Sequence, residues 1–175
     1  MLLVMPAAAS AGWEGIFHFK HLDAQGNVID EWESHNNLAD EGEQFFLDVF
    51  LRAATAPTQF YIGLADSTST CSIVDTDTLT LASAGEPSTN GYARQLVERS
   101  ATGWPTLALD AGDYQATSST ETFSASGGSW GPVYCAFLGT TVDNTGKLIA
   151  YAALSTGRTL ADGETLQITY RVKLQ

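Results

Sequence analysis

The chain has 175 residues, of which 44% are hydrophobic, so it is long enough to bury the core of one domain. Its 20 acidic and 8 basic residues give a formal net charge of −12, which opposes contact with the phosphate backbone of nucleic acids. No stretch approaches the roughly 18 consecutive apolar residues of a membrane helix. These totals predict a soluble, acidic domain with no direct nucleic-acid partner and no membrane span.

Residues 1–12 form an apolar start that does not match a secretory signal peptide. No Lys or Arg precedes the apolar run, and Pro6 interrupts it too early for the hydrophobic region of such a peptide. We predict an extended N-terminal arm that becomes ordered against a partner subunit, and the alternative is a disordered terminus. The candidate partner-binding residues of the arm are Leu2, Leu3, Val4 and Met5.

The next segment predicts a β-hairpin. Apolar and polar side chains alternate from Trp13 to Lys20, and residues 23–27 carry a turn signal before a second apolar pair. His18, His21 and His35 fall on or just after this hairpin. Because no further metal ligands are suitably spaced beside them, we expect surface or rim histidines rather than a metal site.

Residues 38–53 have the apolar spacing of a helix. Asp40, Glu41 and Glu43 lie in its first turn, where the helix dipole favours negative charge. The same three carboxylates resemble a catalytic cluster, but their position is the one that a helix start prefers. We therefore predict a structural helix and assign no catalytic role to them.

The rest of the chain divides into short extended pieces separated by turn signals, with a one- or two-turn helix around residues 79–83 and an irregular edge from Trp104 to Leu109. The predicted strands cover residues 59–65, 92–99, 115–117, 121–126, 130–139, 148–154 and 164–174. Strands at this spacing indicate a mainly β fold, an antiparallel β-sandwich or jelly roll, as a single domain over residues 13–175. Residues 148–154 are apolar on both faces, as in a central strand or a strand whose outer face meets another subunit.

Residues that could act in catalysis or bind a metal do not form a recognisable site. Cys71 and Cys135 lie 64 residues apart outside any CxxC motif, which favours buried free thiols, although a disulfide is possible. Asp75 and Asp77 lack the glycine and glutamate of a calcium loop. No serine lies in a G-x-S-x-G motif, and no phosphate-binding loop or dinucleotide fingerprint is present. We expect no enzyme, no cofactor and no bound metal.

The four tryptophans offer a binding hypothesis because they lie in or beside turns and strand ends. Exposed tryptophans stack on sugars or anchor protein interfaces, whereas buried corner tryptophans serve the core. The candidates for partner binding are Trp13, Trp104 and Trp130.

The order of several motifs resembles a group of virion proteins from tailed bacteriophages. The motifs are Asn37-Leu-Ala-Asp-Glu-Gly42, Tyr61-Ile-Gly-Leu-Ala65, Thr76-Asp-Thr-Leu79, Gly91-Tyr-Ala-Arg94, Lys147-Leu-Ile-Ala-Tyr-Ala-Ala-Leu-Ser155 and Arg158-Thr-Leu-Ala-Asp-Gly-Glu-Thr-Leu166. Some β domains of this group decorate or cement the capsid, and others belong to head or tail fibres.

The resemblance implies a structural protein without an active site. Our leading expectation is a decoration protein on the outer capsid surface, made in the host cytoplasm, that binds the major capsid protein as a homotrimer and stabilises the head. The alternative is a receptor- or glycan-binding domain of a fibre, which would use the loops that carry tryptophan.

Overall fold

The computed structural model describes residues 12–66 and 69–174. The predicted arm residues Leu2, Leu3, Val4 and Met5 lie outside this range. Within it, eleven β-strands and two α-helices follow one another along the chain. In chain order they are β1 (Trp13–Leu22), β2 (Val28–His35), β3 (Asn37–Leu38), α1 (Asp40–Leu51), β4 (Gln59–Asp66), α2 (Leu79–Ala82), β5 (Gln95–Glu98), β6 (Thr106–Asp110), β7 (Asp113–Thr117), β8 (Glu121–Ser124), β9 (Trp130–Gly139), β10 (Leu148–Leu160) and β11 (Thr165–Leu174).

The strands form two antiparallel sheets. Sheet A has the order β2-β1-β11-β7-β6, and β8 also pairs with β11; sheet B has the order β3-β10-β9-β4-β5. The chain is thus mainly β, and the predicted antiparallel sandwich is confirmed. Strands far apart in sequence are neighbours, since β1 pairs with β11 over its whole length.

The core lies between the two sheets because alternate residues of each strand point inward. On sheet A, Phe17 and Phe19 of β1 and Tyr170 of β11 are fully buried. On sheet B, Ile62 of β4 and Ile149 of β10 are also fully buried and belong to the same hydrophobic cluster. The side-chain alternation visible in the sequence of β11 therefore marks its buried face.

Helix α1 is shorter than the predicted helix over residues 38–53. Leu38 belongs to β3 and pairs with Ala150 of β10, and Ala39 keeps an extended backbone before the first turn. The Ala39 amide donates to the Ile149 carbonyl at 3.0 Å, which ties the helix start to the edge of sheet B. The apolar spacing that predicted the helix also included Leu38, because this residue of β3 packs against the core as well.

The outer face of β10 is covered from within the chain. A second apolar cluster joins β9 and β10 to the connection between β4 and β5, and contains Ala39, Ala65, Ile73, Leu79, Ala82, Cys135, Phe137, Leu148 and Tyr151. Of the two explanations for residues 148–154, the central strand applies, since β10 lies between β3 and β9. The short helix expected near residue 79 is α2, and it supplies part of this cover.

The expectation of buried free thiols is wrong in this structure, because Cys71 and Cys135 form a disulfide. Their Cα atoms lie 4.9 Å apart, within the range that disulfide geometry requires. Cys135 is fully buried on β9. The bond fastens the connection after β4 to sheet B, an arrangement that the 64-residue separation could not reveal.

Three smaller expectations need correction. The irregular edge from Trp104 to Leu109 contains a regular strand, β6, at the edge of sheet A. The strand expected over residues 92–99 spans Gln95–Glu98. His21 is buried rather than exposed, with its Nε2 3.1 Å from a carboxylate oxygen of Glu164. Among the helices of the described residues, none has the length and apolar character needed to cross a membrane.

Candidate functional site

Arg94, the last residue of the motif Gly91-Tyr-Ala-Arg94, links two segments of the chain through hydrogen bonds. The guanidinium of Arg94 is buried and donates from Nε and Nη2 to the Glu86 carboxylate at 3.0 Å and 2.7 Å. Its Nη1 donates to the carbonyls of Thr141 and Asp143. Arg94 thereby joins the segment before β5 to the turn between β9 and β10, and its hydrogen-bonding groups are already occupied.

Tyr92 completes this cluster. Its hydroxyl donates to Glu86 Oε1 at 2.6 Å and accepts a hydrogen bond from the Leu64 amide at 2.8 Å. Burial, with a further contribution from the Glu86 charge, raises the pKa of Tyr92 well above its usual value. The phenol therefore stays protonated at neutral pH, which suits a structural hydrogen bond and not proton transfer.

Glu41, in the first turn of α1, also links separate elements through hydrogen bonds. Its carboxylate accepts from the Leu148 amide at 2.8 Å, the Leu79 amide at 3.2 Å and the Lys147 ammonium at 3.1 Å. One carboxylate thus joins α1 to α2 and β10. The first-turn acids were predicted to be structural, and Glu41 has contacts of that kind.

The carboxylates considered for calcium are also engaged with protein groups. Tyr151 donates its hydroxyl to Asp75 at 2.8 Å, and the Val74 amide donates to Asp77 at 2.9 Å. Burial and the hydrogen bond to Asp75 raise the pKa of Tyr151 to about 12. Within the described part of the chain, no group of three or more His, Cys, Asp and Glu side chains could hold a metal ion.

A groove lined almost entirely by apolar atoms lies between α1 and one end of sheet A. Its volume is about 410 Å³. The helix wall consists of Phe46, Leu47, Phe50 and Leu51, and the sheet wall consists of Trp13, Leu107, Tyr114, Ala116, Val172 and Leu174. Among the described residues that line this apolar groove, none is charged.

The sheet wall is a continuation of the core face of sheet A. Trp13 pairs with Leu174, and Val172 pairs with Ala116, so these side chains share the face of the buried Phe17 and Tyr170. Leu107 and Ala116 are also paired. The strands of sheet A therefore extend inward-facing apolar positions beyond the part that sheet B covers.

These positions are exposed to a degree unusual for the inner face of a sandwich. Leu107 is 72% exposed, Tyr114 is 62% exposed and Leu174 is 59% exposed. Across the groove, Phe50 and Leu51 of α1 are 81% and 77% exposed. A contiguous exposed apolar surface of this kind typically marks a contact with another protein, a membrane or a ligand.

The predicted site residues separate into three groups. Trp13 and Trp104 come together, since both line a cavity of about 190 Å³ that shares Trp13, Phe46, Ala116 and Val172 with the groove. Trp130 is 3% exposed and packs edge-on against Tyr92 at 5.6 Å, so in this structure it belongs to the core and not to the groove. Leu2, Leu3, Val4 and Met5 lie outside the described residues.

The sequence interpretation missed the groove residues of α1 and β6. A signal was present, because residues 46, 47 and 51 add a second apolar side to a helix whose apolar spacing already predicts one side with Phe45, Val49 and Phe50. A helix that is apolar on two sides is expected to contact something on each. Leu107 was considered as part of an irregular edge, and its inward register became visible only with the pairing of β6 and β7.

Comparison with known proteins identifies one family. The model for podophage GP4 fiber I protein gp80 matches residues 37–172, which include every element from β3 to α2 and from β5 to the greater part of β11. No curated protein matches the chain. The match covers most of the sandwich, and the chain belongs to this family of phage virion structural proteins of the fibre type.

Proposed function

We propose that the chain is a non-catalytic structural domain of a phage fibre. The observation that carries this proposal is the family match over residues 37–172. It is supported by the structural roles of two residues in the motifs that resemble phage virion proteins. Arg94 and Glu41 make hydrogen bonds that join separate elements, and neither is left available for a substrate. The domain would therefore serve the virion through its shape and its contacts with other proteins.

The absence of an enzymatic function is part of this proposal. Acid–base catalysis at neutral pH is most effective with a group whose pKa lies near 7. The raised pKa values of Tyr92 and Tyr151 place both phenols far from that range. Their partners, Glu86 and Asp75, are engaged in hydrogen bonds within the fold.

A glycan-binding role receives less support from the geometry of the tryptophans. A sugar site needs an exposed aromatic face together with polar groups that fix the hydroxyls. Trp13 and Trp104 line a cavity whose described lining residues are otherwise apolar or, in Tyr170, fully buried. Trp32 stacks on Phe19 on one side and lies against the Arg158 guanidinium, 4.2 Å from the ring centroid.

Capsid decoration is the second candidate function. The observation that favours it is the exposed apolar groove between α1 and sheet A, which offers a surface for contact with another protein. A single sandwich domain with such a surface is suited to binding a capsid. In this role the partner would be the major capsid protein, the assembly would be a homotrimer, and the location would be the capsid surface.

Electron microscopy of labelled virions distinguishes the two roles. An antibody raised against residues 12–174 would be applied to intact particles, with particles from a phage lacking the gene as the control. We expect gold label on fibres and none on the capsid shell. Label distributed over the shell would reject the fibre role in favour of decoration, and absence of specific label from purified virions would reject both.

A further inference from the structure

We propose that β6 is a dimer interface, at which a second copy of the chain adds its own β6 to the edge of sheet A. The two strands would run antiparallel, so that one sheet continues from one copy into the other. This inference goes beyond the fibre role and does not depend on it. β6 is the outermost strand on its side of sheet A, and all five of its residues are exposed. Among the described strands, none pairs with its outer edge, where backbone N–H and C=O groups can accept another strand.

β6 differs from the other edge strands of the described residues in lacking protection against pairing. Edge strands are normally protected by charged side chains or by being very short. At the opposite edge of sheet A, β2 carries Asp30, Glu31 and Glu33. β3, β5 and β8 contain only two, four and four residues. In β6 the one charged residue is Asp110, at its end, and the Lys173 ammonium lies 3.2 Å from that carboxylate. Of these edges, β6 is therefore the best suited to pairing.

The sequence of β6 is complementary to itself in one antiparallel register. Residues that lie opposite each other in such a pair point to the same face of the sheet. When Ala108 lies opposite Ala108 of the second copy, all five residues are paired, and Leu107 lies opposite Leu109. A two-fold axis then passes between the two alanines, as in the commonest class of homo-oligomer. A second copy thus supplies a matching strand by symmetry alone.

The charge of the chain restricts contact between copies to an uncharged surface, and β6 provides one. A net charge of −12 makes the acidic surfaces of two copies repel each other. On the inner face of the joined sheet, Leu107 and Leu109 of both copies would meet beside grooves whose described lining side chains carry no charge. On the outer face, the same register sets the hydroxyl of Thr106, a hydrogen-bond donor, opposite the carboxylate of Asp110.

The exposed apolar surface beside β6 has the area that a dimer needs. Phe50 and Tyr114 are 81% and 62% exposed, which amounts to about 300 Å² for aromatic side chains of this size. The surface also carries five leucines that are each more than half exposed, namely Leu47, Leu51, Leu107, Leu109 and Leu174. At about 100 Å² for a whole leucine side chain, they add about 300 Å². Burial of this surface in both copies would remove about 1,200 Å² from water, where the range of stable specific interfaces begins.

Sedimentation equilibrium of the purified full chain tests the dimer. The variant Leu107→Glu with Leu109→Glu introduces like charges that face each other across the interface. The matched control, Val28→Glu with Ile29→Glu, adds the same charge to β2, where both side chains are 52% exposed. We expect the wild type and the β2 variant to sediment at twice the mass of one chain. The β6 variant should have a dissociation constant at least about 100-fold higher.

Three outcomes of this experiment would overturn the inference. A wild type that sediments as a single chain at concentrations up to about 100 μM would show that the surface has a different partner. A wild type that sediments as three chains would exclude the two-fold pairing. An equal loss of dimer in the β2 and β6 variants would mean that added charge, and not the edge of β6, is responsible. Urea titration shows whether each variant is folded.

Cysteine cross-linking provides a second measurement that retains both leucines. Ala108→Cys places two thiols across the two-fold axis, with Cα atoms about 4.5–5.5 Å apart, within the range of a disulfide. The control, Thr106→Cys, lies on the same face of the same strand, but the proposed register separates its two copies by about 13 Å. We expect disulfide-linked dimers to form at least about tenfold faster with Ala108→Cys. Equal rates would contradict the proposed pairing, whatever the location of the protein on the virion.

Discussion

Gly42 faces the main chain of Ile149 so closely that a Cβ atom built on it would lie 2.2 Å from the Ile149 carbonyl oxygen. This contact joins the first turn of α1 to β10, beside the hydrogen bond between Ala39 and the same carbonyl. Backbone atoms cannot move aside as the end of a flexible side chain can. The position of α1, and with it the helix wall of the groove, depends on the missing side chain.

Gly42→Ala is therefore expected to destabilise the protein. Alanine in a helix normally gains up to about 1 kcal/mol over glycine, but overpacking against fixed atoms costs about 1–3 kcal/mol. We expect a net decrease in the free energy of unfolding, measured by urea titration. Gln44→Ala, at an exposed position of the same helix, is the control and should change stability by less than about 0.5 kcal/mol. A Gly42→Ala protein more stable than the wild type would show that α1 can shift freely.

The ion pair between Arg94 and Glu86 should be needed for stability. Their side chains are 4% and 14% exposed, so Arg94→Met leaves a buried carboxylate without its cation. The expected loss is about 3–5 kcal/mol in the free energy of unfolding. Arg52→Met is the comparison, because its side chain is 78% exposed and its pair with Asp48 should contribute about 0–1 kcal/mol.

A double variant separates the charge from the packing. Arg94→Met with Glu86→Gln removes both charges, so it should lose less stability than the sum of the two single variants. Strict additivity in urea titrations would mean that Arg94 acts mainly through its contacts with Phe137 and the Thr141 and Asp143 carbonyls.

The stability of the protein should decrease as the pH rises above 10. Complete burial raises the pKa of Tyr170 above its ordinary value, and burial with the Glu86 charge does the same for Tyr92. Each phenol is still protonated in the folded state when the unfolded chain loses its proton near pH 10. The stabilisation is therefore complete below pH 10 and declines by up to about 1.4 kcal/mol per pH unit for each phenol.

Tyr170→Phe should make this alkaline decline less steep. Urea titrations between pH 8 and 11 measure the slope, and the comparison is Tyr114→Phe, whose side chain is 62% exposed and should leave the slope unchanged. An identical slope for Tyr170→Phe and the wild type would mean that the Tyr170 phenol ionises in the folded protein as it does in the unfolded chain.

Reduction of the disulfide should lower the free energy of unfolding. A cross-link that closes a loop of 64 residues is expected to contribute about 4 kcal/mol through the entropy of the unfolded chain. Urea titrations with and without a reducing agent give the difference. The double variant Cys71→Ala, Cys135→Ala should match the reduced protein closely and should not respond to the reducing agent; a response would point to an effect unrelated to the disulfide.

Local patterns in the sequence predicted most of the elements. The alternation in β11 and the acidic first turn of α1 are local signals, and both elements lie within the ranges predicted for them. The relationships that remained hidden connect distant residues. His21 pairs with Glu164 across 143 positions, and Cys71 bonds to Cys135. No local sequence pattern around these residues identifies their partners. Trp130 lies beside a turn, as predicted, but its exposure depends on the packing of Tyr92.

The groove illustrates the same limit for the candidate site. The tryptophan pattern pointed to Trp13, which does line the groove, but it gave no reason to join Trp13 with α1 and β6. That junction depends on the pairing of β1 with β11 and of β11 with β7. Strand register across distant segments, which no periodicity within a single strand can specify, decides which apolar residues form one surface.

The position of β11 has a consequence for synthesis. This strand is the last element of the described residues, and in sheet A it lies between β1, on one side, and β7 and β8, on the other. While residues 165–174 are still on the ribosome, sheet A lacks its centre, and β1 and β7 have no bridge between them. The sheet can close only after these residues emerge, so a ribosome that stops within them would release a chain with unpaired strand edges, prone to aggregate.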